Sequence, residues 1–346
     1  MRLPAAGVTR TPVIRKGAPM TRRPTLPALA AATALALTAT ACGGDESTAG
    51  AADYPERPIT MLVGFAPGGG TDTIARVLAQ CLSQALDHEV VVENKPGGSQ
   101  AIALNDLLSA DPDGHTMAMV TTSGPVVVPL RVSAVGYDKD DFTPLNEVSM
   151  APSVLITPPE LHEEVEPGFL DRDEALVVST PGALSAPHQT LNLFRDVMDA
   201  PVRAVPYEGS APAINALRAG DVDAVFTESS LEVMEQLEGS GLHVSASGGS
   251  ERMPHIPDAP TFEELGYDGL PLSDSYWFPL LPADAPDDLV ELLEGHTRDC
   301  AETPQLSEAL GEDYVSNEHP TSSELSRQTM DEMHESFLDL IAEEES

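Results

Sequence analysis

Residues 59–86 constrain the fold more than any other stretch. An apolar run, Ile59-Thr-Met-Leu-Val63, enters the glycine-rich turn Gly64-Phe-Ala-Pro-Gly-Gly-Gly70, and apolar residues then recur at 74, 77, 78, 82, 85 and 86. Strand, tight turn and helix in that order open a βαβ unit. Thr71 or Asp72 can cap the helix. The pattern repeats, with a strand at 90–92, a turn at 94–98, a helix at 102–108, a stop at Asp111-Pro-Asp-Gly114 and a strand at 117–120. Strands separated by helices of this length predict an α/β fold, a mostly parallel sheet flanked by helices.

A second, proline-richer series follows. It predicts strands at 154–156, 176–178, 202–205 and 222–226, with helices at 188–198 and 211–219. Further helices are expected at about 285–300, 303–311 and 322–343, the last opened by the capping-box pattern Thr321-x-x-Glu324. A chain of 346 residues is long enough for two lobes, each with its own core.

The first 42 residues read as a signal rather than as fold. Arg22-Arg23 precede a small, apolar run at 26–41 that is too short and too rich in alanine and threonine for a membrane span. Initiation at Met20 would leave residues 1–19 untranslated. Ala39-Thr-Ala-Cys42 resembles a lipobox, with Ala39 where leucine is usual. The expectation is a lipid-modified Cys42 at the outer face of the cytoplasmic membrane, with 43–53 as a polar tether. An ordinary cleavage site is the plainer alternative. Cys81 and Cys300 remain, and in an exported chain they form either a disulfide or two buried thiols.

All 56 acidic residues lie after Cys42, against 12 of the 18 basic ones, so that part carries a formal charge of −44. Nucleic-acid binding is excluded, because it needs a basic footprint. The acids are spread along the chain, as on a solvated surface. No paired spacing of the nine histidines suggests a metal, no cofactor motif is present, and there is no G-x-S-x-G elbow.

The spacing Gly64-x-x-x-x-Gly69-Gly70-Thr71 is one residue from a phosphate loop, with Gly70 where the lysine belongs. Without that lysine nucleotide hydrolysis is not expected. A strand, glycine turn and helix start still form an anion site, since free N–H groups and the helix dipole need no lysine. Pro96-Gly-Gly-Ser-Gln100 forms a second such turn. In a parallel sheet both open at the carboxyl ends of the strands, where α/β proteins bind ligands.

Several motifs then occur in order. They are Tyr54-Pro-x-Arg-Pro-Ile59, Phe65-x-Pro-Gly-Gly-Gly-Thr-Asp72, Val91-Val-Glu-Asn-Lys-Pro-Gly97, Pro112-Asp-Gly-His-Thr116, Asp141-Phe-Thr-Pro144, Val205-Pro-Tyr-Glu-Gly-Ser-Ala-Pro212, Ala219-Gly-Asp-Val-Asp223, Pro257-Asp-Ala-Pro-Thr261 and Trp277-Phe-Pro-Leu280. From Tyr54 onward the chain resembles the Bug-type substrate-binding receptors of tripartite tricarboxylate transporters. The resemblance implies a two-lobed periplasmic-binding-protein (Venus flytrap) fold, with lobe 1 at 54–124 plus 229–346 and lobe 2 at 125–228. It implies a monomer that closes over a small organic acid and presents it to membrane transporter subunits, and it implies no enzyme activity.

The resemblance places Gly69, Gly70, Thr71 and Asp72, and Gly98 and Ser99, against a ligand carboxylate. From the facing lobe it brings Ser179, Thr180, Ser185 and His188, then Tyr207 and Ser210, then Thr227 and Glu228. His188 could equally brace its loop, and Tyr207 could be a core residue near the hinge. The family's second loop usually reads Pro-Gly-Ala-Gly-Gly; here Ser99 and Gln100 replace glycine. They are expected to narrow the pocket or to hydrogen-bond the ligand. Pro181 and Leu184 also stand where small residues are usual. Two other functions stay open: a binding module for a neutral or cationic solute, which the −44 charge favours, and an exported enzyme using Ser185 and His188.

Overall fold

The computed structural model describes residues 54–346 except 197–199, 250, 268–273, 311–321 and 345–346. Cys42, the signal segment and the tether at 43–53 lie outside the described residues. Two mixed sheets flanked by helices form the two lobes of a periplasmic-binding-protein fold.

The first sheet has the order β2-β1-β3-β11-β4, with β5 also paired to β11. Its strands are β1 (Ile59–Val63), β2 (Val90–Asn94), β3 (Thr116–Thr121), β4 (Phe142–Pro144), β5 (Ser149–Ala151) and β11 (Ser275–Pro282). β1, β2 and β3 run parallel, and β11 is antiparallel to its neighbours. Helix α1 (Gly70–Ala85) joins β1 to β2, and α2 (Ala101–Leu108) joins β2 to β3. α1 buries Ile74, Leu78 and Leu82 on one side of the sheet, where Met61, Met119 and Trp277 meet them. Leu104 and Leu107 of α2 lie in a separate cluster with Val120, Phe278 and Met330. That last methionine belongs to α10 (Ser323–Glu344). Cys81 of α1 is disulfide-bonded to Cys300 of α8 (Asp287–Ala301).

The second sheet has the order β10-β6-β9-β7-β8. It contains β6 (Ser153–Thr157), β7 (Leu176–Thr180), β8 (Val202–Pro206), β9 (Ala224–Glu228) and β10 (His243–Ser247). β7, β8 and β9 are parallel, and β6 is antiparallel to both neighbours. Helix α5 (Ala186–Asp196) joins β7 to β8, and α6 (Ser210–Ala219) joins β8 to β9. Phe194, Phe226 and Phe262 pack together on one face of this sheet, and Ile214, Leu217 and Val225 lie on the other.

The sheets divide the chain elsewhere than at the expected 125 and 228. β4 and β5 join the first sheet, so the first crossing falls at Pro152, between β5 and β6. β10 joins the second sheet, so the return falls between Ser247 and Ser275. Segments 125–151 and 229–247 therefore exchange lobes relative to the expectation. β4 and β5 have three residues each, too few to show an alternating pattern. β11 carries Pro279 and Pro282, which argue against a strand in sequence.

Candidate functional site

In both sheets the parallel strands end at glycine- and hydroxyl-rich turns that lead into helices. These turns form two candidate ligand edges. Among the described residues, the contacts that join the lobes include these three. Ser275 Oγ donates to Glu228 Oε1 at 3.2 Å. The Gly70 N–H donates to the Glu232 carboxylate. Leu184 packs against the first lobe's cluster around Phe278.

At the first edge, Gly69 is the N-cap of α1 and offers no side-chain cap. The side chains of Thr71 and Asp72 face inward. Thr71 Oγ1 accepts from Trp277 Nε1 at 2.9 Å. Asp72 Oδ2 accepts from Gly68 N and Arg76 Nε, both at 2.9 Å, and Oδ1 accepts from Asn94 Nδ2 at 2.8 Å. Burial alone would raise the Asp72 carboxyl, but these donors, led by Arg76, hold it below the usual range. The same Asn94 amide donates to Phe65 O at 3.1 Å. The Asp72 side chain thus fixes the first turn from behind.

In the second turn, four successive residues have positive φ: Gly97 at 130°, Gly98 at 59°, Ser99 at 51° and Gln100 at 79°. The last two are side-chain-bearing residues in the left-handed region that favours glycine. Ser99 is half-buried, but Gln100 is fully buried. Its Nε2 donates to Thr121 Oγ1 at 2.7 Å and to Ser123 Oγ at 3.2 Å, and its Oε1 accepts from Thr121 N at 2.9 Å. The expected ligand contact of Gln100 is therefore replaced by an internal one.

Those partners belong to a third turn that the sequence reading missed. Thr121-Thr122-Ser123-Gly124 ends β3 and enters a π-helical turn, Ser123–Val127. Such turns gather at functional sites. Thr122 Oγ1 is buried with no hydrogen-bond partner. Three hydroxyl residues directly after the expected strand at 117–120 were the available signal.

At the second edge, Ser179 lies beneath the surface and donates to Ala213 O at 3.1 Å and Ala224 O at 3.3 Å. It is a strut rather than a ligand contact. Thr180 Oγ1 meets His188 Nδ1 at 2.7 Å. Burial first, and Arg195 second, push His188 below its ordinary value, which keeps the ring neutral. Ser185 Oγ donates to Gly182 O at 2.8 Å and accepts from His188 N at 3.3 Å. Ser185 and His188 do not hydrogen-bond through their side chains as a nucleophile and base would. Tyr207 N donates to Thr180 O at 2.9 Å, and the half-buried ring packs on the cluster around Ile214.

Helix α6 starts at Gly209, whose φ is 116°, without a side-chain cap. Ser210 Oγ and Thr227 Oγ1 lie 2.8 Å apart, and Thr227 Oγ1 donates to Glu228 Oε2 at 3.3 Å. The structure thus links Ser210, Thr227, Glu228 and Ser275 in one hydrogen-bonded row across both lobes. Burial raises the Glu228 carboxyl against the hydrogen bonds it accepts. Among the described residues no ion pair reaches it.

The residue whose carboxylate meets Gly70, Glu232, lies on α7 (Leu231–Leu237), a helix absent from the sequence reading. Burial raises this carboxyl too, opposed by the Gly70 N–H. Among the described residues no cluster of three or more His, Cys, Asp or Glu side chains could hold a metal. No helix among them is long and apolar enough to cross a membrane.

Comparison with known proteins agrees with this arrangement. The chain is similar to BugT of Bordetella pertussis, with 32% identity over 276 residues, covering 78% of this chain and 84% of BugT. A structure described as a periplasmic transporter shares 27% identity at a TM-score of 0.74, covering 84% of this chain and 97% of its own. MatC of Rhodopseudomonas palustris, solved with bound malate, has the same fold at 23% identity and a TM-score of 0.73, covering 83% of this chain and 100% of MatC. The family model of the tripartite tricarboxylate transporter family receptor matches residues 74–343. This chain belongs to that receptor family.

Proposed function

We propose that the protein captures a small organic carboxylate between its two ligand edges and presents it to a tripartite-type transporter or a sensor. The observation that carries this reading is the set of uncapped helix starts on both edges. Gly69, Gln100 and Gly209 precede α1, α2 and α6, and none supplies a side-chain cap. Helix starts and dipole ends without side-chain caps suit a carboxylate. Malate in the similarly folded MatC supports the same class of ligand.

The protein acts by binding without turnover, as a monomer outside the cytoplasmic membrane, held there by lipid on Cys42. Mass spectrometry of the mature N-terminus tests the anchor: a diacylated peptide beginning at Cys42 supports it, and an unmodified one removes it.

A thermal-shift series with mono-, di- and tricarboxylates tests the ligand class. A ligand at 100 times its dissociation constant adds about 2.7 kcal/mol. Absence of any shift across the series would sink the carboxylate reading. Glu228 favours a second reading, a ligand that also carries an ammonium group, because this half-buried carboxylate has no cation partner among the described residues. Amino acids belong in the same series. Stabilisation by amino acids alone would select that reading.

A further inference from the structure

We infer that Gln100 is a positioning residue whose side chain joins the three turns of the first ligand edge, so that the edge is shaped before a ligand arrives. The purpose of that edge rests on the carboxylate reading above; the joining itself does not.

Three observations converge. First, Gln100 holds a left-handed backbone, φ 79°, directly after Ser99 at 51°. Side-chain-bearing residues keep such a conformation when surrounding contacts over-determine it. Second, its carboxamide supplies those contacts. It bonds Thr121 N, Thr121 Oγ1 and Ser123 Oγ, all in the turn after β3. Third, it is enclosed by two glycines from the neighbouring turns. A Cβ on Gly64, in the turn after β1, would lie 2.6–2.8 Å from Gln100 Cα, Cβ and Cγ. A Cβ on Gly124, after β3, would lie 2.8–3.0 Å from its carboxamide atoms. The side chain therefore fills the space between the first and third turns while belonging to the second.

Both amide atoms are engaged within the protein, so Gln100 acts on a ligand only through the turns it holds. Glycine at this position would suit the backbone but would remove the side chain that bonds the third turn and fills the space beside the first.

The test uses the full chain, its Gln100→Gly and Gly124→Ala variants, and the double variant. Gln100→Gly keeps a backbone compatible with φ 79°, and Gly124→Ala intrudes on the Gln100 carboxamide. Without ligand, hydrogen exchange should speed up at 64–70 and 121–126 in each single variant, and stay unchanged at 176–180 and 224–228. The effect of Gly124→Ala should vanish in the Gln100→Gly background, because its clash partner is gone. Calorimetry with succinate, malate, adipate and citrate should show about tenfold weaker binding in Gln100→Gly. Titration well below the melting temperature separates this loss from any loss of stability.

Unchanged exchange at both neighbouring turns would overturn the proposal. So would full additivity of the two substitutions, or faster exchange with unchanged affinity. If the unmodified protein binds none of the four acids, the carboxylate reading fails on its own, and the exchange data still decide whether Gln100 joins the turns.

Discussion

At the first ligand edge the polar side chains turn back into their own lobe. Asp72 is bound by Gly68, Arg76 and Asn94, Thr71 by Trp277, and Gln100 by Thr121 and Ser123. What this edge leaves toward the cleft is mainly backbone. At the second edge the hydroxyls of Ser210 and Thr227 and the carboxylate of Glu228 form a row that ends on Ser275 of the first lobe. One edge supplies shape and N–H groups, and the other supplies side chains. The difference teaches that rigidity and recognition need not reside in the same lobe. A preformed backbone edge loses little freedom on binding, while adjustable hydroxyls can suit different acids.

The comparison can be broken most strongly at Asp72. Asp72→Ala leaves Arg76, Asn94 and the Gly68 N–H without their common acceptor. It should lower stability by about 3 kcal/mol, read as a shift in denaturant midpoint. The pH dependence follows from its depressed pKa. The stabilisation is present above the ordinary value of 3.8 and is lost as pH falls through the lower, folded value. An unchanged acid limb in Asp72→Asn would contradict this role.

Asp274, at the return crossing between the lobes, carries the opposite sign. Burial pushes its carboxyl up to about 6 from 3.8, and its Oδ1 has no hydrogen-bond partner. The fold favours the neutral form, so stability declines as pH rises from about 4 to about 6. Asp274→Asn should raise stability at pH 7 by about 2–3 kcal/mol and flatten that slope. Thermal unfolding at several pH values measures both effects.

Smaller changes sharpen the contrast. Ser210→Ala removes one link of the hydroxyl–carboxylate row and should change stability by only about 1 kcal/mol. Its main effect should be on ligand affinity, and an equal loss of stability and affinity would blur the distinction between the edges. Glu232 should give the smallest effect and the reverse sign. Its carboxylate holds the Gly70 N–H that an acid would otherwise use, so Glu232→Gln should tighten carboxylate binding by about threefold, under 1 kcal/mol. Weaker binding would show that Glu232 supports the site instead of competing for it.

Much of this fold could be read from the sequence because its βαβ units are local. The helices at 70–85, 210–219 and 287–301 follow from apolar spacing within a single element. Strands β4, β5 and β11 could not be read in the same way. β11 contains two prolines, and β4 and β5 are three residues long; their pairing depends on distant partners. Glycine turns located both ligand edges. Side-chain direction was the harder part, because neighbouring residues of one turn can face opposite ways at a helix start. Gly69 and Asp72 sit in one motif, yet Asp72 points inward to Arg76 and Asn94. Thr122, Ser275 and Glu232 belong to segments without a run of glycines, and only the assembled lobes bring them to the edges.

Hydrogen exchange on the full chain, with and without a saturating carboxylate, measures the division between the edges most directly. The account expects 64–70 and 97–101 to be protected already in the free protein, with new protection on binding concentrated at 179–188, 207–210 and 227–228. Slow exchange at the second edge before ligand, with the larger gain at the first, would contradict it.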